Sequence, residues 1–247
     1  MEKIAAFFDI DGTIYREGLI TELFKKLIIH ELVSDSTYVD SVKPAFTKWD
    51  KRQGYYDEYL DRMIEIYIKS IIGLKQDHIT HIAKKVIEQK GDRVYRFTRN
   101  EIKRHKKNGD LVIAVSGSPI ELVEEMASKY QFDDFRGTTY VIDEDNRYTG
   151  DLIPMWDGES KRKAILSLAK QYELNLEHCY AYGDTTGDLF MLRLVGHPFA
   201  INPTRSLIKA IKADADLSKK ITVIVERKDM MYKMPLELIE TDGVLIK

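Results

Sequence analysis

Asp9 and Asp11 stand one residue apart, directly after the apolar run Ala5-Ala6-Phe7-Phe8 and directly before Gly12. A second acidic group occupies Gly183-Asp184-Thr185-Thr186-Gly187-Asp188, a hydroxyl precedes a glycine at Ser116-Gly117, and a lysine stands at Lys161. Alternation along an extended chain sends Asp9 and Asp11 to the same side. Two like charges that close are costly unless a cation or a shared proton lies between them. The structural alternative is an Asp-Gly turn closing a core strand. An EF-hand loop fails, because the approach is strand-like and the later acidic ligands are missing. Carboxylates from two strand ends form a hard-oxygen site suited to Mg²⁺. The Ser116 hydroxyl and the Gly117 N–H, just before a helix, form an anion pocket. Lys161 adds a fixed positive charge. Cation, anion pocket and paired carboxylates together describe phosphoryl transfer. No G-x-x-x-x-G-K-[ST] segment is present, which excludes a P-loop nucleotide hydrolase.

These residues share a site only if the elements carrying them converge. Residues 3–8, 111–115 and 178–182 read as buried strands, each running into one of the polar groups. Further strands are expected at 198–201 and 221–225, and a hairpin around Asp143-Glu144-Asp145-Asn146. Helical spacing appears at 19–33, 55–72, 76–89 and 93–107, then at 119–130, 160–172, through Leu194, and at 204–213. The piece around Phe46 and Trp49 has no clear period, and the pattern does not place the tail beyond Arg227. Strands alternating with helices predict an α/β fold, a doubly wound Rossmann-like parallel sheet with both faces covered. In such sheets the carboxyl ends of the strands collect along one edge, where ligands bind.

The 247 residues suffice for one large domain or a core with an inserted subdomain. A formal net charge of -2 argues against a nucleic-acid-binding surface. The single cysteine, Cys179, cannot form an internal disulfide and fits a reducing compartment, so a cytoplasmic location is expected. No basic leader with a long apolar region opens the chain, and no run of 18 apolar residues exists, so neither a signal peptide nor a membrane span is expected. His78 and His81 lack a carboxylate companion, and the basic residues between Arg99 and Lys107 read as a solvated helix face. Phe46, Trp49, Tyr55 and Tyr56 fit either a substrate-facing surface or packing of the helical block.

Asp9-Ile10-Asp11-Gly12-Thr13, Ser116, Lys161 and Gly183-Asp184-Thr185-Thr186-Gly187-Asp188 resemble, in order, the four motifs of the haloacid dehalogenase superfamily. The resemblance covers residues 1–15 and 110–215. It implies that Asp9 is a nucleophile forming an aspartyl-phosphate and that Asp11 is the general acid/base. It also implies a Mg²⁺ site made by the Asp9 carboxylate, the Asp11 carbonyl and Asp184, supported by Asp188. Ser116, Gly117 and Lys161 would hold the phosphoryl oxygens. The second aspartate separates this chain from the dehalogenases. Transport ATPases of the superfamily have lysine and threonine around the nucleophile and need membrane helices.

The long helical block between the first and second motifs resembles the phosphoserine-phosphatase-like branch, whose helical cap is inserted there. The expectation is a core of residues 1–15 and 108–247 with a cap of residues 16–107. The implied activity is Mg²⁺-dependent hydrolysis of a small-molecule phosphate ester; a phosphotransferase or phosphomutase and a non-catalytic phosphate-binding module are the alternatives. Glu17 and Arg62 lie near the positions where that branch recognises the substrate ammonium and carboxylate, each slightly offset. Gly187 stands where the branch usually has asparagine.

Overall fold

The structure, a computed structural model, describes residues 3–241. Its centre is β1 (Ala5–Phe8), four residues buried on both faces. Ala5 and Phe7 pack into one apolar cluster, Ala6 and Phe8 into another, so the period-two alternation of the strand feeds two cores. β2 (Leu111–Pro119) lies parallel on one side of β1 and β5 (Tyr180–Gly183) parallel on the other. With β3 (Asp134–Ile142), β4 (Tyr148–Ile153), β6 (His197–Ile201), β7 (Thr222–Arg227) and β8 (Met230–Met234), the order is β4-β3-β2-β1-β5-β6-β7-β8. Only the outermost pairs, β3–β4 and β7–β8, are antiparallel. The doubly wound parallel sheet is therefore as expected.

Helices cover both faces. α8 (Gly158–Tyr172), α9 (Leu189–Leu194), α10 (Arg205–Lys212) and α11 (Leu217–Lys220) pack on the Phe7 side through Ile165, Leu192, Leu207 and Leu217. α1 (Leu19–Ile29), α5 (Gln76–Lys90), α6 (Arg96–Asn108) and α7 (Ile120–Tyr130) join the cluster on the Phe8 side. The chain after β1 thus runs to one face and the chain after β5 to the other, which opens a crevice at the carboxyl ends of these adjacent strands.

Between α1 and α5 lie α2 (Asp35–Ser41), α3 (Lys43–Asp50) and α4 (Tyr56–Ile71). α2 and α3 have no fully buried residue, which explains why their stretch lacks a readable apolar stripe. The tail escapes a sequence reading for a similar reason. Met230, Met231 and Tyr232 of β8 are all exposed, so no alternation marks the strand.

The last helix of the expected cap requires a correction, because α6 lies on the sheet. Its first N–H groups, at Arg96 and Phe97, donate to the Glu226 carboxylate of β7 at 3.0 and 2.9 Å. That contact satisfies orphan donors and places negative charge at the helix N-terminus. At the other end His105 is fully buried, with Nδ1 2.7 Å from Asp110 and Nε2 2.9 Å from the Tyr182 hydroxyl. The Tyr182 hydroxyl donates to Glu101 at 2.9 Å, and its ring stacks on Phe8 with centroids 4.2 Å apart. A parallel connection returning to β2 needs a covering helix, and α6 fills that place.

Removing the Tyr182 hydroxyl leaves both the His105 ring and Glu101 short of a buried partner. Tyr182→Phe is expected to lower the unfolding free energy by about 1–3 kcal/mol, measured by urea denaturation.

Candidate active site

Parallel register brings the sequence motifs to one edge. Phe8 pairs with Ala114 of β2 and Tyr182 of β5, so Asp9 leaves β1 level with the ends of both neighbours. The Asp9 N–H donates to the Tyr182 carbonyl at 2.9 Å, extending the ladder one step before the chain turns. Lys161, in the first turn of α8, is 3% exposed and sends its ammonium between two carboxylates. Lys161 Nζ lies 2.7 Å from Asp9 Oδ1 and 2.6 Å from Asp188 Oδ1. The other Asp188 oxygen accepts the backbone N–H groups of Asp184 and Thr185, at 3.0 and 3.1 Å. Asp188 is thereby committed to holding the loop and the lysine. Asp184 accepts the Thr13 hydroxyl at 3.2 Å.

The first glycine is imposed by this crowding. Gly12 has φ +77°, and a Cβ there would lie 2.0 Å from the Asp184 carboxylate. Gly117 meets a comparable limit, since its Cβ would lie 2.8 Å from that of Trp156. Gly187 likewise faces the Trp156 carbonyl at 2.4 Å from an added Cβ, so no side chain fits here without a shift.

Asp11 is held differently from Asp9. One carboxylate oxygen accepts the Leu19 N–H at 2.6 Å, at the start of α1, and the other accepts the Ser118 hydroxyl. Ser118 in turn donates its N–H to the buried Ser116 Oγ at 3.2 Å. Neither Ser118 nor Thr13 is assigned a part from the sequence. The available signal for Ser118 was its position two residues after Ser116 in an extended segment, which puts both hydroxyls on one side.

Among the described residues, Asp9, Asp184 and Asp188 are the group of carboxylates close enough to share a cation, with ligand atoms within 4.8 Å of one another. Three carboxylates against one ammonium leave an excess of negative charge in a buried site. Burial, opposed by Lys161 and reinforced by Asp188, raises the Asp9 carboxyl to about 7. Burial and the neighbouring carboxylates push Asp184 well above the usual range. Burial also raises Asp11, against the lowering effect of the Leu19 N–H and Ser118. A hard divalent cation fits this set of donors: oxygen ligands, excess negative charge, and space at Asp184 that only a glycine at position 12 leaves open. His78 and His81 are exposed and belong to no such group among the described residues.

A cavity of about 840 Å³ opens over the acidic centre, with Gly12 and Asp184 in its floor. Glu17 lines it, with its carboxylate paired to Arg93 at 2.6 Å. Arg62 does not line it. The Arg62 guanidinium binds Glu65 at 2.6 Å and the Ser41 carbonyl at 3.1 Å, facing α2. From Tyr56, which does line the cavity, Arg62 is about 9 Å further along α4. Of the two residues expected to select the leaving group, Glu17 lines the cavity and Arg62 does not. Phe46, Trp49, Tyr55 and Tyr56 line the cavity, and Trp49 also packs on Phe46 and Tyr56. The turn after β6 adds Asn202, Thr204, Arg205 and Ser206, which sequence motifs did not mark. The Thr204 N–H donates to the Asp184 carbonyl at 2.8 Å and ties that turn to the acidic centre.

The model of haloacid dehalogenase-like hydrolases matches residues 6–193, a span holding all four motifs. The chain belongs to that family. A probable phosphatase of Mycobacterium tuberculosis is 30% identical to this hydrolase over 208 residues, 84% of this chain and 71% of the other. A phosphoserine phosphatase of the same species is 34% identical over 117 residues, 47% of this chain and 38% of the other. A solved phosphoserine phosphatase, captured as an analogue of its phospho-aspartyl intermediate, superposes with a TM-score of 0.60. At 19% identity, over 93% of this hydrolase and 96% of that chain, the likeness is one of fold. No helix of the described residues is long and apolar enough to cross a membrane.

Gly12→Ala forces the Asp184 carboxylate to move. A displacement of about 1 Å at a reacting centre is expected to lower kcat/KM by about 10²-fold, measurable by steady-state kinetics on any ester the hydrolase turns over. The titration of the acidic centre gives a second expectation. Folded Asp9 and Asp184 hold protons more tightly than they do unfolded, so their contribution favours folding at low pH and falls as pH rises, for Asp9 through about 7. In EDTA, calorimetry should show the thermal midpoint falling between about pH 4 and pH 7.5, with a shallower fall in Asp9→Asn.

Proposed function

We propose that this hydrolase is a Mg²⁺-dependent phosphatase that cleaves a small-molecule phosphate monoester through an aspartyl-phosphate on Asp9. The observation carrying this reading is the different holding of two neighbouring carboxylates. Asp9 lies against the Lys161 ammonium in the acidic centre, whereas Asp11 is turned away onto the Leu19 N–H and Ser118. Groups with one chemistry and two environments divide into a nucleophile and an acid/base.

An Asp9 oxygen attacks phosphorus as the ester O–P bond breaks, and Asp11, raised by burial, gives its proton to the leaving oxygen. Asp11, now a carboxylate, then takes a proton from water as the water oxygen bonds to phosphorus. The Asp9–phosphorus bond breaks and inorganic phosphate leaves. Lys161 neutralises Asp9 before attack and the phosphoryl charge after it, and stays in place because Asp188 holds its other side. The Ser116 hydroxyl and Gly117 N–H are assigned to the phosphoryl oxygens, on a strand end fixed by the Thr138 hydroxyl donating to the Gly117 carbonyl at 2.8 Å. Asp9, Asp184 and the Asp11 carbonyl would hold Mg²⁺, with Asp188 behind them, and the ion supplies positive charge against the phosphoryl oxygens.

Hydrolysis of p-nitrophenyl phosphate is expected with Mg²⁺ and not with EDTA. Asp9→Asn should reduce it by about 10³-fold or more. Asp11→Asn should slow release of phosphate into water and, with rapid quench, leave phosphorus attached to protein. Turnover in Asp9→Asn comparable with that of the unsubstituted hydrolase would overturn the mechanism. Transfer of phosphate to an added alcohol in preference to water would replace it with a phosphotransferase.

A further inference from the structure

The cavity over the acidic centre is large for an ester of a three-carbon amino acid. At about 840 Å³ it falls in the upper part of the range, roughly 300–1,000 Å³, that encloses drug-sized ligands. Its apolar lining is also unusual in kind. Phe46, Trp49, Tyr55, Tyr56, Tyr59 and Tyr95 supply it, and the described lining includes no Leu, Ile, Val or Met. Aliphatic chains pack best on aliphatic walls of adjustable shape, whereas flat rings gain from stacking on other rings.

The wall is assembled in advance. Trp49 stacks on Tyr59 with planes 8° apart, and Phe46 and Tyr56 meet Trp49 edge-on at 5.7 and 5.3 Å. Rings already fixed by one another lose little freedom when a ligand arrives. Two guanidinium groups lie over rings of the same lining, Arg52 over Trp49 at 5.9 Å and Arg16 over Tyr95 at 5.7 Å. Guanidinium planes and aromatic faces are the surfaces on which nucleobases and similar heterocycles stack.

A polar residue from the turn after β6 also lines this cavity. Asn202 lines it with φ +43°, and its side-chain carbonyl is occupied by the Glu226 N–H at 2.8 Å. Its Nδ2 is buried and has no hydrogen-bond partner among the described residues. A buried donor left without an acceptor costs free energy.

We infer that the leaving group of the substrate carries a planar heteroaromatic ring, as in a nucleoside monophosphate, which packs against the aromatic lining of this cavity. This rests on the phosphatase reading and adds the substrate class. Phosphoserine is then a poor substrate despite the shared fold. The ring binds where the helices inserted after α1 face the acidic centre, so recognition is separate from the phosphoryl chemistry.

Adenosine 5′-monophosphate and ribose 5-phosphate share the ester and the sugar and differ in the ring, so their comparison isolates it. Pyridoxal 5′-phosphate tests a heterocycle without a nucleoside, and phosphoserine a leaving group without any ring. The kcat/KM for adenosine monophosphate is expected to exceed that for ribose 5-phosphate by about tenfold or more. Trp49→Ala should reduce that ratio several-fold, and Trp49→Phe, which keeps a ring and the packing, should retain most of it. Asp9-dependent turnover with no preference for the ring overturns the substrate class and leaves the phosphatase reading standing. So does a ratio that Trp49→Ala does not alter. If no ester is turned over, the phosphatase reading fails. Calorimetric binding to Asp9→Asn then decides the ring separately: equal affinity for adenosine monophosphate and ribose 5-phosphate overturns it.

Discussion

The molecule depends on one buried ammonium. Lys161 lies 2.7 Å from Asp9 and 2.6 Å from Asp188, with all three side chains nearly or wholly removed from solvent. An isolated carboxylate at that depth is too costly to keep ionised, and removing one partner of such a pair typically costs about 3–5 kcal/mol. The lysine comes from the first turn of α8, Asp9 from the end of β1 and Asp188 from the loop after β5. One cation therefore joins three chain segments that are far apart in sequence, and the strand register fixes where they meet.

The compensation is incomplete, and the incompleteness bears on function. Lys161 satisfies one oxygen of Asp9 and one of Asp188, while the Asp184 side chain accepts, among the described residues, only the neutral Thr13 hydroxyl. An excess of buried carboxylate charge at a sheet edge suits the binding of a cation. A fully neutralised cluster would be more stable and less useful, in line with the observation that perturbed carboxyls gather at working sites.

Around this centre the fold divides the labour. The sheet edge fixes the acidic groups through backbone register and glycines that nothing larger can replace, as at Gly12. The helices inserted between α1 and α5 have few buried residues of their own at α2 and α3, and spend their aromatic side chains on the cavity wall. The core is thus bound to one chemistry, whereas the wall is free to differ between relatives that share the fold.

Much of this was legible in the sequence. The buried strands announce themselves as short apolar runs, and the runs at 3–8, 111–115 and 178–182 end on Asp9, Ser116 and Asp184, so sheet and acidic centre follow from local pattern. The positive φ of Gly12 is likewise local, whereas Gly117 is required only by the approach of Trp156. Tertiary structure decided what depends on distant residues meeting. Ser118 acquires a part only because β2 lies beside β1, and Asn202 only because the turn after β6 is tied to Asp184. α6 joins the sheet layer because Glu226, 130 residues on, caps it. Arg62 points away from the cavity because α4 presents Tyr56 and Tyr59 there. Periodicity shows that a helix has an apolar side. It does not fix which neighbour the polar side meets, because that is set by the packing of the other elements rather than by the helix itself.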